Sequence, residues 1–155
     1  MGRLLEQIPS IMEYSLENNL EPKLDFFIKE VGLSMDILTK AIIARPYLLT
    51  LSLEKSLQPT VYGLRDRCKL SPQDLESIYS RAPGLLSMKW ATNLEPKINF
   101  LVNYLHLDDE ALKQMVISSP RILMHSISTS IKPKLDQMEK WADGNLTQVA
   151  HVVRD

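Results

Sequence analysis

The sequence has one cysteine, Cys68, in 155 residues. One thiol closes no internal disulfide and supplies no cysteine pair for a structural zinc, so a reduced compartment is the simplest reading. The three histidines, His106, His125 and His151, are far apart and form no i, i+4 pair, so no metal-ligating set is expected. Glycine is scarce too: Gly2, Gly32, Gly63, Gly84 and Gly144 are scattered, and none builds a phosphate-cradling loop. Cys68 and the histidines show no ordering of nucleophile and base, so neither an enzyme nor a cofactor is expected. No run of about 18 apolar residues exists, so no membrane span is expected. The opening "MGRLLEQIPSIMEYS" carries Glu6 and Glu13 and lacks both a signal-peptide core and an acid-poor, basic transit character. Net charge is −1, so any phosphate contact requires a local patch.

Proline, by contrast, is abundant and ordered. Pro9, Pro46, Pro83 and Pro120 are each 37 residues apart, and so are Pro22, Pro59, Pro96 and Pro133. Of the nine prolines only Pro72 lies off this grid. Apolar columns share the register. Leu20, Leu57, Leu94 and Ile131 form one, and Met12, Leu49, Leu86 and Leu123 another. Leu24, Val61, Ile98 and Leu135 follow, then Phe27, Leu64, Leu101 and Met138, then Leu38, Leu75, Leu112 and Val149. So many columns without an insertion mark an internal repeat.

Each repeat reads as helical. Leu24, Phe27, Ile28 and Val31 follow the i, i+3, i+4, i+7 stripe of an amphipathic helix. Gly32 suits its C-terminal cap. Ser34, Ser71, Asp108 and Asn145 share the next column, and all four residue types are good N-caps, so a second helix is predicted there. Pro72 follows Ser71 at the first helical position, where a missing N–H is harmless. Asp108, Asp109 and Glu110 read as acids matched to the positive end of that helix rather than as a metal site. The second helix, with Ile37, Leu38, Ala41 and Ile42, must end near Ala44, because Pro46 disfavours helical geometry at Arg45. The run Tyr47-Leu48-Leu49 then suits one tight 3₁₀ turn. Ser52 starts a short lead-in to Leu57 and the next long helix. Units of this kind cannot bury their apolar faces alone and stack into a solenoid.

Three repeats are complete, 20–56, 57–93 and 94–130, flanked by partial repeats 1–19 and 131–155, all in one array over 1–155. The next grid proline would fall two positions past Asp155, and neither end shows a polar cap. The expectation is an array cut from a longer one.

The stretch "LEPKLDFFIKEVGLSMDILTKAIIARPYLLTLSLEKSLQP" resembles the motif of the mitochondrial transcription termination factor (mTERF) family. The shared features are Leu20, Pro22 and Lys23, then Gly32, Leu33 and Ser34, then Pro46, Leu48, Leu49 and Ser52. Departures occur: Gly32 becomes Lys69, His106 and Asp143 in the other repeats, Lys23 becomes Thr60 in one, and Ser52 becomes Lys89 in one. The resemblance runs through every repeat. It implies an all-α, right-angle-turned helical-repeat solenoid, a left-handed superhelix with two antiparallel α-helices and a short 3₁₀ helix per repeat. It also implies action in a mitochondrion or chloroplast, in transcription termination or initiation, RNA processing or ribosome assembly. The partner it implies is double-stranded DNA or RNA, held by a monomer along a basic groove. A pentatricopeptide array fits poorly, since those repeats lack two fixed prolines per unit.

A nucleic-acid-binding array should repeat positive charge on one face. Lys23, Lys97 and Lys134 share a column at the start of the first helix. Arg45, Arg81 and Arg121 flank the expected 3₁₀ turns without sharing one column, and Lys40 lies just upstream of Arg45. These seven residues are the candidate contacts. Repeat 57–93 is the most basic, with five Lys/Arg against three Asp/Glu. Tyr47, Tyr62, Tyr79, Tyr104, Trp90 and Trp141 could stack bases, although their helical spacing with aliphatics favours core packing. A protein-interaction scaffold for an organellar RNA-modifying or ribosome-assembly partner is the competing reading.

Overall fold

A computed structural model describes residues 20–141 of the chain, and every element among them is helical. Helix α1 (Glu21–Asp25) continues into a π-helical turn, Phe26–Glu30. Helix α2 (Met35–Ala44) leads into a 3₁₀ turn, Pro46–Thr50. The order then recurs. A π-helical turn, Leu53–Leu57, opens α3 (Gln58–Cys68), followed by α4 (Pro72–Arg81) and a 3₁₀ turn, Pro83–Ser87. Next come the π-turn Trp90–Leu94, α5 (Glu95–Leu105), α6 (Asp109–Ser118) and the 3₁₀ turn Pro120–Met124. A last π-turn, Ile127–Ile131, opens α7 (Lys132–Trp141). The expectations for residues 1–19, Asp143, Asn145 and Val149 lie outside the described residues.

The second grid proline works differently from a simple start signal. Sequence patterning predicts only a short lead-in before it; the structure has a widened π-turn before Pro59, Pro96 and Pro133. Leu57 N–H donates to Ser52 O at 3.1 Å, Leu94 N–H to Lys89 O at 3.1 Å and Ile131 N–H to Ser126 O at 3.0 Å. The proline two residues later has no N–H, and in a tight α-turn its ring presses on the carbonyl four residues back. Opening one turn to i, i−5 bonding relieves that pressure and lets the helix run through.

The first grid proline stops the second helix, as expected. The preceding residues Arg45, Ala82 and Ser119 leave helical geometry at φ −139°, −137° and −136°. Their N–H groups still close the last helical bonds, to Ala41, Ile78 and Met115 at 2.9, 2.8 and 2.9 Å. The predicted N-caps are present: Ser34 Oγ accepts from Ile37 N–H, and Asp108 accepts from Ala111 N–H at 2.7 Å. Ser71 and Asp74 form a reciprocal capping box. Gly32, at φ +81°, has the left-handed conformation foreseen for it. Lys69 and His106, in the same column, hold it too, at φ 53° and 51°. The turn requires this geometry whatever the side chain.

The apolar columns form the core. Leu57, Leu94, Leu64, Leu101, Ile98 and Leu123 are all fully buried. One expectation shifts by a residue: Ile28 is exposed, and Phe26 packs inward beside Phe27 and the Tyr62 ring. The π-turn at Phe26–Glu30 adds a residue to the turn and rotates the stripe. Leu48 and Leu85, on the 3₁₀ turns, are wholly buried where second helices and turns of adjacent repeats meet.

Two outcomes follow from these positions. His106→Gly should raise stability by about 0.5–1 kcal/mol and Gly32→Ala lower it by about 1 kcal/mol or more, read by urea denaturation, because only glycine takes positive φ freely. Burial pushes the Cys68 thiol from 9.0 up to about 12. Between those values the unfolded chain has released a proton the folded chain keeps, so this contribution to stability is complete below pH 9 and falls as pH rises. From about pH 8 to about pH 10.5 the melting temperature of the wild type should therefore fall more steeply than that of Cys68→Ala.

Candidate nucleic-acid interface

The lysine column, expected on a binding face, faces inward. Lys23 is 3 % exposed and Lys97 9 %. Lys23 Nζ donates to Leu49 O at 2.6 Å, and Lys97 Nζ to Leu123 O at 2.8 Å, each across 26 residues. Desolvation lowers the pKa of both ammonium groups below the usual lysine value. In the intervening repeat Thr60 takes the same place, its Oγ1 donating to Met88 O at 2.6 Å. These side chains close the repeat by bonding carbonyls of the 3₁₀ segment that the helix ladders leave open. Lys23 and Lys97 are thereby removed from the candidate contacts. Their column was read as repeated surface charge, but the long stem and cationic head suit a buried carbonyl equally well. Lys134, in the same column, is exposed and borders an apolar hollow with Ile131, Leu135 and Met138.

The arginines behave differently. Arg45, Arg81 and Arg121 come from three successive repeats and line one open cavity of about 480 Å³ at the edge made by the 3₁₀ turns. Arg81 Nη1 donates to Ser118 O at 3.1 Å, and its Nη2 to Ile117 O and to Ser77 Oγ. Arg81 thus covers the carbonyl end of α6, one repeat on. Arg121 Nε donates to Arg81 O at 3.0 Å, covering the end of α4 in return. Cations at helix C-termini complement the negative end of the helix dipole. The Arg45 side chain is exposed and makes no hydrogen bond or ion pair among the described residues. None of the three arginines is ion-paired there.

Other basic residues are matched by acids. Lys69 and Arg67 both approach Asp109, at 2.6 and 4.0 Å, and Lys113 reaches Asp74 at 3.4 Å. Lys29 pairs with Asp25 at 3.0 Å and Arg65 with Asp66 at 2.8 Å. The Lys69 ammonium, hydrogen-bonded to Asp109, holds that carboxyl below the usual range. The most basic repeat by composition therefore spends much of its charge locally. Lys40 is exposed on α2 but does not line the arginine cavity.

Among the aromatics, Tyr79 is wholly buried. Trp90 lies so close to Gly63 that a Cβ there would collide with the indole, so Trp90 is a packing residue. Tyr62 donates to Glu30 at 2.5 Å, and Tyr104 to Asp136 and Glu139 at 2.6 and 2.9 Å. Tyr47, on a 3₁₀ turn, and Trp141 remain exposed.

Sequence reasoning did not single out Gly84, Met124 or His125, which join the arginines around the cavity. A signal was present in the register. Gly84 occupies the column of Tyr47 and Arg121, so the middle repeat has no side chain where its neighbours carry large ones. Among the described residues no group of three or more His, Cys, Asp and Glu could hold a metal ion, and no helix is long and apolar enough to cross a membrane.

The family model for mTERF matches residues 1–152, nearly the whole chain. No curated protein shows significant similarity to it.

The inward lysines separate structure from binding. Lys97→Met should lower stability by about 1–3 kcal/mol in urea denaturation, because the Leu123 carbonyl loses its donor inside the fold. The same variant should leave affinity for duplex nucleic acid unchanged in a mobility-shift titration.

Proposed function

Because the chain belongs to the mTERF family, we propose that it is an organellar nucleic-acid-binding regulator, acting in transcription termination or initiation or in RNA processing. The ligand is double-stranded DNA or RNA, and the setting a mitochondrion or chloroplast, wound around the left-handed curved array that the family implies. One observation supports this beyond kinship: three arginines with no carboxylate partner among the described residues gather at the 3₁₀ edge of a chain whose net charge is only −1. Such a local field attracts phosphate even where the whole molecule does not. Arginine also presents a planar fork suited to phosphate oxygens.

A second reading, a protein-interaction scaffold, draws on the loss of Lys23 and Lys97 to the interior, which leaves less repeated positive charge on the surface. A continuous phosphate-tracking groove would use such a column; a scaffold has no need of it.

A mobility-shift titration over a salt series separates the two, with duplex DNA, duplex RNA and single strands in parallel arms. The expected result is duplex binding whose log affinity falls linearly with log salt, the signature of counterion release. Absence of binding to every strand type at low salt points instead to the scaffold.

A further inference from the structure

The cavity among Arg45, Arg81 and Arg121 has a composition that a solvated surface rarely shows. Among the described residues its lining contains three guanidinium groups and His125 and no carboxylate. Helix ends bring partial negative charge close to it: α2, α4 and α6 stop beside it at Ala44, Arg81 and Ser118. A helix C-terminus carries the equivalent of about half a negative charge. Three such ends amount to roughly one and a half, against three full positive charges. The balance stays positive after the helix ends are satisfied.

The guanidinium groups are also unequally committed. Arg81 is fixed by the carbonyls of Ser118 and Ile117 and by Ser77. Arg121 is anchored through Nε alone, to Arg81 O, which leaves its terminal nitrogens as donors. The Arg45 side chain is held by no hydrogen bond among the described residues. Its guanidinium lies over Gly84, which has no side chain. A Cβ built there would meet Met124 Cε at 2.6 Å and lie 3.7 Å from Arg45 Nε. The missing side chain leaves the room that Met124 takes up, so a larger residue there would push Met124 toward the arginines.

We propose that this cavity is a binding site for a single phosphate-type oxyanion, with Arg121 and Arg81 as a fixed frame and Arg45 as the arm that completes it. Phosphate offers the tetrahedral array of acceptors that several guanidinium forks can share. Because the three arginines belong to three successive repeats, one bound phosphate ties all three units together. Occupancy therefore stabilises the array against unfolding by mass action. The phosphate has two sources, a nucleic-acid backbone or a free inorganic anion. Only the first rests on the function proposed above.

The test uses the whole chain, with Arg45→Gln as the main variant, since the Arg45 side chain bonds no helix end and glutamine keeps the backbone N–H that does. Lys29→Gln, which removes the same charge from a helix surface outside the cavity, is the control. Thermal unfolding is followed with inorganic phosphate at constant ionic strength, and duplex affinity is measured in parallel. The expected result is a phosphate-dependent rise in melting temperature for the wild type and Lys29→Gln that is abolished in Arg45→Gln. Duplex affinity should fall about tenfold or more in Arg45→Gln and change little in Lys29→Gln. Equal phosphate responses in the wild type and Arg45→Gln overturn the site. Unaltered duplex binding by Arg45→Gln overturns it as a backbone contact and leaves the nucleic-acid reading standing. An Arg45-dependent phosphate response without duplex binding upholds the site and removes that reading.

Discussion

A hydrogen bond from the start of α1, α3 and α5 to a carbonyl of the 3₁₀ turn, or of the residue just after it, holds the repeat closed. Lys23, Thr60 and Lys97 supply it, reaching Leu49, Met88 and Leu123. A 3₁₀ segment between two helices leaves carbonyls that no ladder can satisfy, and a buried orphan carbonyl is destabilising. A donor on the first helix of the same repeat removes that penalty. It also fixes the distance between the helix and the turn, so that Leu48, Leu49 and their equivalents fill the seam. The rest of the fold is arranged around this closure: helix ends, core columns and the arginine edge keep the same relation from one repeat to the next.

That closure redistributes charge. Two members of a column that looks like a stripe of surface lysines, Lys23 and Lys97, are absorbed by the interior, and unmatched positive charge gathers as arginine at the ends of the second helices. Arg81 and Arg121 serve as helix caps across repeats, each bonding the terminal carbonyl of its neighbour's helix. Stability and binding potential therefore occupy the same edge. The cap geometry orients the guanidinium groups, and pre-oriented donors lose less freedom when a ligand arrives.

Much of this fold was legible in the residues. Pro46, Pro83 and Pro120 mark where second helices stop, since the residue before proline avoids helical geometry whatever surrounds it. Ser34, Ser71 and Asp108 mark where they start, because a short side-chain acceptor meets open N–H groups there. The candidate site was less legible. Lys23 and Lys97 alternate with Thr60, a substitution that suits a shared hydrogen-bond role better than a shared charge; only the carbonyl 26 residues away explains it. Arg45, Arg81 and Arg121 occupy three different columns, so periodicity alone could not group them.

The sequence by itself determined the period, the helix boundaries, the buried columns and the kinship, because each depends on local chemistry repeated in register. Tertiary structure decided which cations face solvent, where π-turns relieve the second proline of each repeat, and which arginines meet. The facing of the cations and the meeting of the arginines depend on distances between residues 26 to 40 positions apart, set by how one repeat seats on the next. A linear pattern records spacing along the chain; it does not record the direction in which a long, flexible side chain finds its partner.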